Sequence, residues 1–229
     1  MFKIDLLTNS KKHKMTPRPT FIIKKCPNVI ILLHGFNSAP GKKSKQIQEF
    51  LKKNNLKNEY ELIAPKLSVE PRSAIGEINR IIRSNKSLKV HLIGTSLGGF
   101  YANYFRAKFK ENFLTVHTIN PSWNPSDSLK LYKNKELKNL KTQEKWNFKS
   151  NYLEQCKEFE GFIKKNISIP PHKEYYIHIS KHDELLNFDK MFDFMEINKV
   201  PFQKTEYETD HRFDKINEVM KIITDQKRC

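Results

Sequence analysis

The stretch that decides the fold is Leu88–Phe100, with the sequence LKVHLIGTSLGGF. Its first half is mainly apolar, which predicts a buried strand from Leu88 to Ile93. The segment Gly94–Gly98 follows directly and matches the pattern G-x-S-x-G, just before a helix predicted over Leu97–Lys110. In this context Ser96 lies on a sharp turn at the carboxyl edge of a sheet, with helix N–H groups directed at it. Three of the chain's seven glycines lie in this stretch, and we expect them to permit that turn.

Strands and helices alternate on both sides of this stretch. Further strands are predicted at Val29–Leu33, Glu61–Ala64, Leu114–Ile119, Tyr175–Ser180 and Phe202–Tyr207. Helices are predicted where apolar residues recur at helical spacing, namely around Ile47–Leu51, from Pro71 to Ile82, and over Phe188–Ile197 and Arg212–Thr224. This alternation predicts right-handed βαβ units and a mostly parallel central sheet with helices on both faces.

Two segments interrupt the alternation in a chain whose 229 residues suit a single domain. Residues 1–28 form a basic N-terminal extension. Residues 122–171 are too long for an ordinary connection between strands, and their aromatic and apolar residues alternate with Lys. We therefore expect a small cap insertion of short amphipathic helices over the edge of the sheet.

Charge and composition exclude several classes of protein. The net charge is +17, but only seven of the 42 basic residues are Arg, which favours a solvated surface over a specific nucleic-acid partner. No apolar stretch is long enough to span a membrane. Three widely separated cysteines show no metal or redox spacing. We therefore expect a cytoplasmic protein without metal or cofactor; the oligomeric state stays open.

A serine hydroxyl needs a base to become a nucleophile, and chain order selects it among eight histidines. In enzymes with such a turn the order is serine, acid, histidine, with the histidine after the last strand. His211 meets this requirement, and Asp183, just after the preceding strand, is the matching acid. Glu184, Asp189 and Asp210 are the rival acids; we expect Glu184 to point elsewhere from the same loop.

Two backbone donors are needed to stabilise the oxyanion of a tetrahedral intermediate. One is the N–H of Leu97, and the other is the N–H of Phe36 in the loop that follows the strand ending at His34-Gly35. We expect His34 to order this loop by hydrogen bonding. Asn37 in the loop, with Trp123 and Trp146 in the insertion, are the predicted substrate-binding residues. The two tryptophans fit equally well as residues that bury the cap against the body.

Three groups of residues together resemble a known family. They are His34-Gly35-Phe36-Asn37-Ser38, the turn Ser96-Leu97-Gly98-Gly99-Phe100-Tyr101-Ala102, and Asn120-Pro121 with Pro125. The segments Ala64–Leu67, Asp183–Leu186 and Asp210-His211 occur in the same order as in that family. The chain is similar over about Val29 to Thr224 to the small YqiA/YcfP-type esterases of the α/β-hydrolase superfamily. It departs from them at His182 and Thr209, where glycine is usual.

The resemblance implies the α/β-hydrolase fold, with Ser96 as nucleophile, Asp183 as acid and His211 as base, in agreement with the reading from the residues. The predicted function is cleavage of a small-molecule acyl ester or thioester through an acyl-enzyme intermediate. Two alternatives stay open. One is a thioesterase or deacylase for a larger acyl carrier, and the other is a non-catalytic binding protein of the same fold.

Overall fold

The computed structural model describes residues 26–109, 111–168 and 174–225. Its helices and strands follow one another as β1 (Asn28–Leu33), α1 (Lys42–Lys53), β2 (Tyr60–Ile63), α2 (Pro71–Ser84), β3 (Lys89–Thr95), α3 (Leu97–Lys108), β4 (Leu114–Ile119), α4 (Pro125–Ser128), β5 (Glu136–Lys138), β6 (Lys145–Asn147), α5 (Asn151–Asn166), β7 (Tyr175–His182), α6 (Asp189–Ile197), β8 (Gln203–Asp210) and α7 (Ile216–Asp225). A 3₁₀ turn covers Lys130–Tyr132.

Six strands form the central sheet in the order β2-β1-β3-β4-β7-β8, and every neighbouring pair is parallel. The carboxyl ends of all six strands therefore meet at one edge, the carboxyl edge. All six residues of β1 and of β4 are buried, as expected for strands covered on both faces. The predicted mostly parallel sheet with helices on both faces is confirmed.

Two apolar clusters cover the faces of the sheet. On one face, α1 and α7 pack over residues that include Ile30, Ile93 and Ile119. On the other face, α2, α3 and α6 bury a larger cluster that includes Ile31, Leu92 and Val116. Alternate residues of each strand point to opposite faces, so that β1 and β3 contribute to both clusters. This packing fixes the sheet and the loops that leave its carboxyl edge.

The segment between β4 and β7 differs from its prediction in two ways. Its longest element, α5, packs against α3 and α2, with Phe159 and Ile163 in the larger core cluster. Parallel neighbours such as β4 and β7 need a crossover connection, and α5 provides it. The part at the carboxyl edge is therefore shorter, residues 122–150. Besides the short helix α4 and the 3₁₀ turn, it contains the antiparallel hairpin β5–β6, which was not predicted. We call residues 122–150 the edge insertion.

Most of the predicted N-terminal extension, residues 1–28, lies outside the described residues. In the part of the chain that the structure describes, no helix has the length and apolar character needed to cross a lipid bilayer.

Candidate active site

Ser96 occupies a strained turn between β3 and α3. Its backbone has φ 52° and ψ −117°, and such a conformation costs a non-glycine residue on the order of 1–3 kcal/mol. Backbone hydrogen bonds hold it there. The N–H of Ser96 donates to the carbonyl of Ile119 over 2.9 Å, and its carbonyl accepts from Gly99 over 2.9 Å and from Ser122 over 3.0 Å. The turn is thereby fixed to the adjacent strand β4.

We call this turn, Gly94–Gly99, the elbow. Its glycines were expected to permit an unusual backbone conformation, but they have a different role. None of the described glycines has a positive φ, so the backbone strain falls on Ser96 itself. A Cβ at Gly94 would lie 2.2 Å from the carbonyl oxygen of Gly98, and one at Gly98 would lie 2.5 Å from that of Leu33. The glycines are required because backbone segments approach one another too closely for any side chain.

The loop after β1 lies directly against the elbow. A Cβ added to Gly35 would be 3.2 Å from Cβ and 3.7 Å from Oγ of Ser96. His34 orders this loop: its Nε2 accepts a hydrogen bond from the N–H of Leu67 over 3.1 Å, so its Nδ1 carries the proton and donates to the carbonyl of Gly35 over 2.9 Å. Burial lowers the pKa of His34, and the hydrogen bond to Gly35 opposes this effect. A neutral imidazole matches both contacts.

The two predicted oxyanion donors are adjacent in sequence to Gly35 and Ser96, which lie against each other. Phe36 follows Gly35 in the loop, and Leu97 is the first residue of α3. The side chains of both residues pack on one small apolar cluster, formed by Leu129, Phe148 and Tyr152 of the neighbouring segment. The loop after β1 and the elbow thus pack against the same cluster. The use of Phe36 and Leu97 as oxyanion donors stays a prediction.

Asp183 and His211 are brought together by the ends of β7 and β8. Oδ2 of Asp183 lies 2.7 Å from Nδ1 of His211, and the side chains are 2% and 16% exposed. Oδ1 of Asp183 accepts hydrogen bonds from the N–H groups of Leu185 and Leu186 over 2.9 and 2.8 Å. These bonds fix the carboxylate, which in turn assigns the proton of His211 to Nδ1. Nε2 of His211 is then free to accept a proton.

The rival acids contact other groups. Asp210 accepts a hydrogen bond from the N–H of Arg212, and Asp189 accepts one from the side chain of Asn187. Glu184 does not point elsewhere as expected, because its carboxylate accepts the backbone N–H of His211 over 3.2 Å. Glu184 thus contacts the backbone of His211, while Asp183 contacts its ring.

Asn120 is a site residue to which the sequence assigned no role. It is 1% exposed and has a φ of 43°. Its side-chain amide donates to Oγ of Ser180 over 2.7 Å and to the carbonyl of His211 over 3.3 Å, and its Oδ1 accepts from the N–H of Ser180 over 2.7 Å. Asn120 therefore connects the ends of β4 and β7 to the backbone of His211. The sequence marked Asn120 only by its position directly after a buried strand and by the pair Asn120-Pro121 in the family resemblance.

A cavity of about 600 Å³ opens beside the elbow. Its wall is formed by the loops after β1 and β2, the start of α3 and the β5–β6 hairpin, and it includes Phe36, Asn37, Lys66, Leu97, Glu144 and Trp146. Of the predicted substrate-binding residues, Asn37 and Trp146 line this cavity. Trp123 is outside the described lining, because it is buried in the larger core cluster against Phe194 of α6, with a ring-centroid distance of 5.4 Å.

Asn37 joins the loop after β1 to the hairpin. Its Oδ1 accepts a hydrogen bond from the indole N–H of Trp146 over 2.9 Å, and its Nδ2 donates to the carbonyl of Lys138 over 3.0 Å. Its own carbonyl accepts from the N–H of Leu140 over 3.0 Å. The hairpin is thus attached to the residue next to Phe36, and Asn37 and Trp146 shape the cavity together.

The described residues contain no group of three or more His, Cys, Asp or Glu side chains placed to hold a metal ion.

Solved structures with the same fold include enzymes of several kinds. Est1E from Butyrivibrio proteoclasticus is 17% identical, with a TM-score of 0.64 over 90% of this chain and 88% of its own. The fluorophosphonate-binding serine hydrolase F from Staphylococcus aureus is 15% identical, with a TM-score of 0.62 over 90% and 85%. A monoacylglycerol lipase from Paleococcus ferrophilus is 12% identical, with a TM-score of 0.61 over 86% and 93%. At such identities the likeness establishes the fold.

Residues 29–227 match the family described as Uncharacterised protein family UPF0227. The match covers the whole of the part that resembles YqiA/YcfP-type proteins, and it includes Ser96, Asp183 and His211. The chain belongs to family UPF0227, the family of YqiA/YcfP-type proteins with the α/β-hydrolase fold.

Proposed function

We propose that this protein is a serine hydrolase that cleaves a carboxylic ester or thioester through an acyl-enzyme intermediate. The observation that carries the proposal is the pair Asp183–His211, whose 2.7 Å contact leaves Nε2 of the imidazole as a proton acceptor. Ser96 follows β3, and β4 lies between β3 and β7 in the sheet. The N–H of Ser96 is bonded to Ile119, and the next residue, Asn120, is bonded to the backbone of His211.

The reaction proceeds in two halves. Nε2 of His211 takes the proton of Ser96 as Oγ attacks the carbonyl carbon, and Asp183 stabilises the imidazolium. The N–H groups of Phe36 and Leu97 stabilise the oxyanion. The intermediate expels the alcohol or thiol, which takes the proton from His211. Water then attacks the acyl-enzyme with His211 as base, and the carboxylic acid and free Ser96 are released.

The strain at Ser96 supports catalysis over a binding role for the fold. A positive φ at a non-glycine residue persists only where the surroundings enforce it, and here it is found at Ser96, between β3 and Leu97, a residue that lines the cavity. A protein that merely binds a ligand has no need of this conformation together with the Asp183–His211 pair. We further propose a cytoplasmic setting, in which Cys26 and Cys156 stay free thiols.

A fluorophosphonate probe tests the nucleophile. We expect it to label the wild type and fail to label Ser96→Ala, while Ser38→Ala, a matched change in the adjacent loop, keeps its labelling. Asp183→Asn should lower turnover by on the order of 10⁴, the loss that follows when the histidine tautomer is no longer held. Asp189→Asn, whose side chain contacts Asn187, is the matched control. Labelling of Ser96→Ala, or equal losses for the two Asp variants, would overturn the assignment.

A panel of acyl esters and acyl thioesters, assayed with wild type and Ser96→Ala side by side, separates an esterase from a thioesterase for a larger acyl carrier. Turnover of a substrate is assigned to this protein only if Ser96→Ala lacks it.

A further inference from the structure

Large apolar side chains are exposed mainly at one edge of the molecule. Five such residues are largely exposed among those described, and four of them lie on loops at the carboxyl edge: Val69, Leu131, Leu140 and Leu185. The fifth, Ile197, ends α6 at the opposite edge. Leu131 and Leu140 belong to the edge insertion and are 58% and 69% exposed. Exposed apolar residues concentrated in one area indicate a surface that meets an apolar partner.

The same segment carries an excess of positive charge. Residues 122–150 contain seven Lys, three acidic residues and no Arg. The three carboxylates form ion pairs with Lys130, Lys145 and Lys66. Five exposed lysines in this segment pair with no carboxylate in the described part of the chain: Lys133, Lys135, Lys138, Lys141 and Lys149. The net charge of +17 thus has a local concentration beside the cavity.

The hairpin presents these charges outward. Leu137 and Trp146 are paired across its two strands and pack toward Phe36. The neighbouring pair is Lys138 opposite Lys145, and like charges in this position destabilise a hairpin. Lys145 forms an ion pair with Glu136, whereas Lys138 has no ion-pair partner among the described residues. An anion on the outer face would relieve the repulsion.

The tip of the hairpin is held in place by the loop after β1. The N–H of Leu140 donates to the carbonyl of Asn37, and the side chain of Asn139 donates to the carbonyl of Ser38 over 2.9 Å. Leu140 and Lys141 are therefore presented by a fixed scaffold, next to the wall of the cavity. A preformed surface loses little entropy when it binds.

We propose that the edge insertion docks on an anionic lipid bilayer through a surface formed by Leu131, Leu140, Lys133, Lys135, Lys138 and Lys141, the docking surface. Aliphatic side chains beside lysines suit the boundary of lipid headgroups and acyl chains. A nucleic-acid surface favours Arg, of which this segment has none, and exposed aromatic rings, whereas Tyr132 and Trp146 are half-buried against the small apolar cluster. Docking brings the cavity mouth to the membrane, so that the hydrolase takes ester substrates from a lipid surface. This consequence for the substrate rests on the proposed function, whereas lipid binding itself does not.

Vesicle binding tests the docking surface without any requirement for activity. The full chain with Ser96→Ala is sedimented with vesicles of phosphatidylcholine alone or mixed with phosphatidylserine. We expect binding to the anionic vesicles only, and release at high salt. Equal binding to the two vesicle types, or no binding to either, would overturn the proposal.

Matched lysine variants locate the contact. The triple variant Lys135→Gln, Lys138→Gln, Lys141→Gln should bind anionic vesicles about 100-fold more weakly, because each lysine near such a surface strengthens binding by about fivefold. The triple variant Lys52→Gln, Lys53→Gln, Lys57→Gln removes the same charge at the opposite edge and should bind nearly as well as its parent. Equal losses would show that net charge alone is responsible.

Leu140→Asn and Ile197→Asn separate the apolar contribution, since both side chains are well exposed but lie at opposite edges. Leu140→Asn should release the protein from vesicles at a lower salt concentration, and Ile197→Asn should leave the profile unchanged. Identical profiles for the two would contradict the assignment of Leu140.

Activity completes the test and distinguishes the two proposals. The lysine variant at the edge insertion should hydrolyse a soluble short-chain ester at the wild-type rate and an ester embedded in anionic vesicles more slowly. An unlabelled, inactive wild type that still binds anionic vesicles would refute the hydrolase and leave the docking surface standing. If duplex DNA binds through the same lysines while vesicles do not, the surface is a nucleic-acid site and the proposal fails.

Discussion

The elbow and the β5–β6 hairpin both contribute to the wall of the cavity, and they are built by opposite means. The elbow has no charged residue, and its conformation follows from backbone contacts with β1 and β4. The hairpin consists of two three-residue strands with exposed lysines, attached through side-chain and backbone hydrogen bonds to Asn37.

This difference separates two tasks of the site. The proposed nucleophile, Ser96, needs a position fixed to a fraction of an ångström, and close-packed backbone provides it. The hairpin contacts whatever enters the cavity or approaches it, and exposed side chains there are replaceable at little cost in stability. Substitutions in the elbow should therefore abolish activity, and substitutions in the hairpin should change selectivity.

Gly98→Ala should break the elbow with the largest effect. Its Cβ would lie 2.5 Å from the carbonyl oxygen of Leu33, and backbone cannot give way as a side chain can. We expect a loss of about 3 kcal/mol or more in the free energy of unfolding, and loss of turnover. Gly76→Ala in α2 is the same chemical change with no atom within 4 Å, and it should stabilise the protein by about 0.5–1 kcal/mol.

Urea unfolding of the two variants measures this contrast. Equal stabilities for Gly98→Ala and Gly76→Ala would contradict the view that backbone contact, not backbone freedom, requires glycine in the elbow.

Asn120→Asp should show whether Asn120 positions His211 or only stabilises the fold. The substitution keeps the shape and the acceptor for Ser180, but it replaces the amide that donates to the carbonyl of His211. A small displacement of the base lowers turnover strongly, so we expect kcat to fall by roughly 100-fold with little change in KM. Ser180→Ala removes the other side-chain contact of Asn120 and should cost less.

Steady-state kinetics and thermal unfolding on the same samples check this prediction. A lowered melting temperature with an unchanged kcat would show that Asn120 only holds the strands together.

The stability of the central sheet should also depend on pH, through two buried histidines on β4 and β7. Burial lowers the pKa of His178 to about 3, and burial together with His178 and His91 lowers that of His117 well below 6.5. Both stay neutral in the folded protein, while in the unfolded chain they take up protons as the pH falls through about 6.5. The unfolded state then binds more protons, so stability is lost as the pH falls below that value.

Between pH 6.5 and 5.5 this pair should cost about 2 kcal/mol in the free energy of unfolding. Denaturant unfolding at both pH values measures the loss. The double variant His117→Asn, His178→Asn should lose correspondingly less stability over the same interval, whatever its absolute stability. An equally large loss in the variant would assign the acid response to other groups.

The sheet was predictable from sequence because its strands are apolar runs. Leu114–Ile119 was predicted to the residue. The last strand was predicted to end at Tyr207, but it continues to Asp210 because pairing with β7 outweighs the poor strand propensity of its last residues. The β5–β6 hairpin was missed, since three-residue strands rich in Lys and Asn show no readable periodicity.

In the candidate site, too, some residues could be predicted from the sequence and others could not. Ser96, Asp183 and His211 are indicated by a local motif and by chain order, and the structure places the acid and the base in contact. The pairing of Asn37 with Trp146 joins residues 109 positions apart, so no local pattern indicates it. The role of Asn120 likewise depends on partners supplied by other strands.

The smallest effect is expected at the hairpin, and substitutions of Trp146 and Trp123 test whether it determines acyl-chain selectivity. Trp146 lines the cavity and donates to Asn37, while Trp123 is buried against Phe194 away from the described lining. Trp146→Ala should therefore change the ratio of kcat/KM for short and long acyl esters by about tenfold, which corresponds to about 1.4 kcal/mol of differential transition-state binding. Trp123→Ala should lower the melting temperature and leave that ratio unchanged, because it removes core packing only. Trp146→Phe keeps the ring and removes the indole N–H, so an intermediate ratio is expected if both packing and the bond to Asn37 shape the cavity. If only Trp123→Ala changed the ratio of kcat/KM, the acyl chain would lie near Trp123. The hairpin would then not determine acyl-chain selectivity.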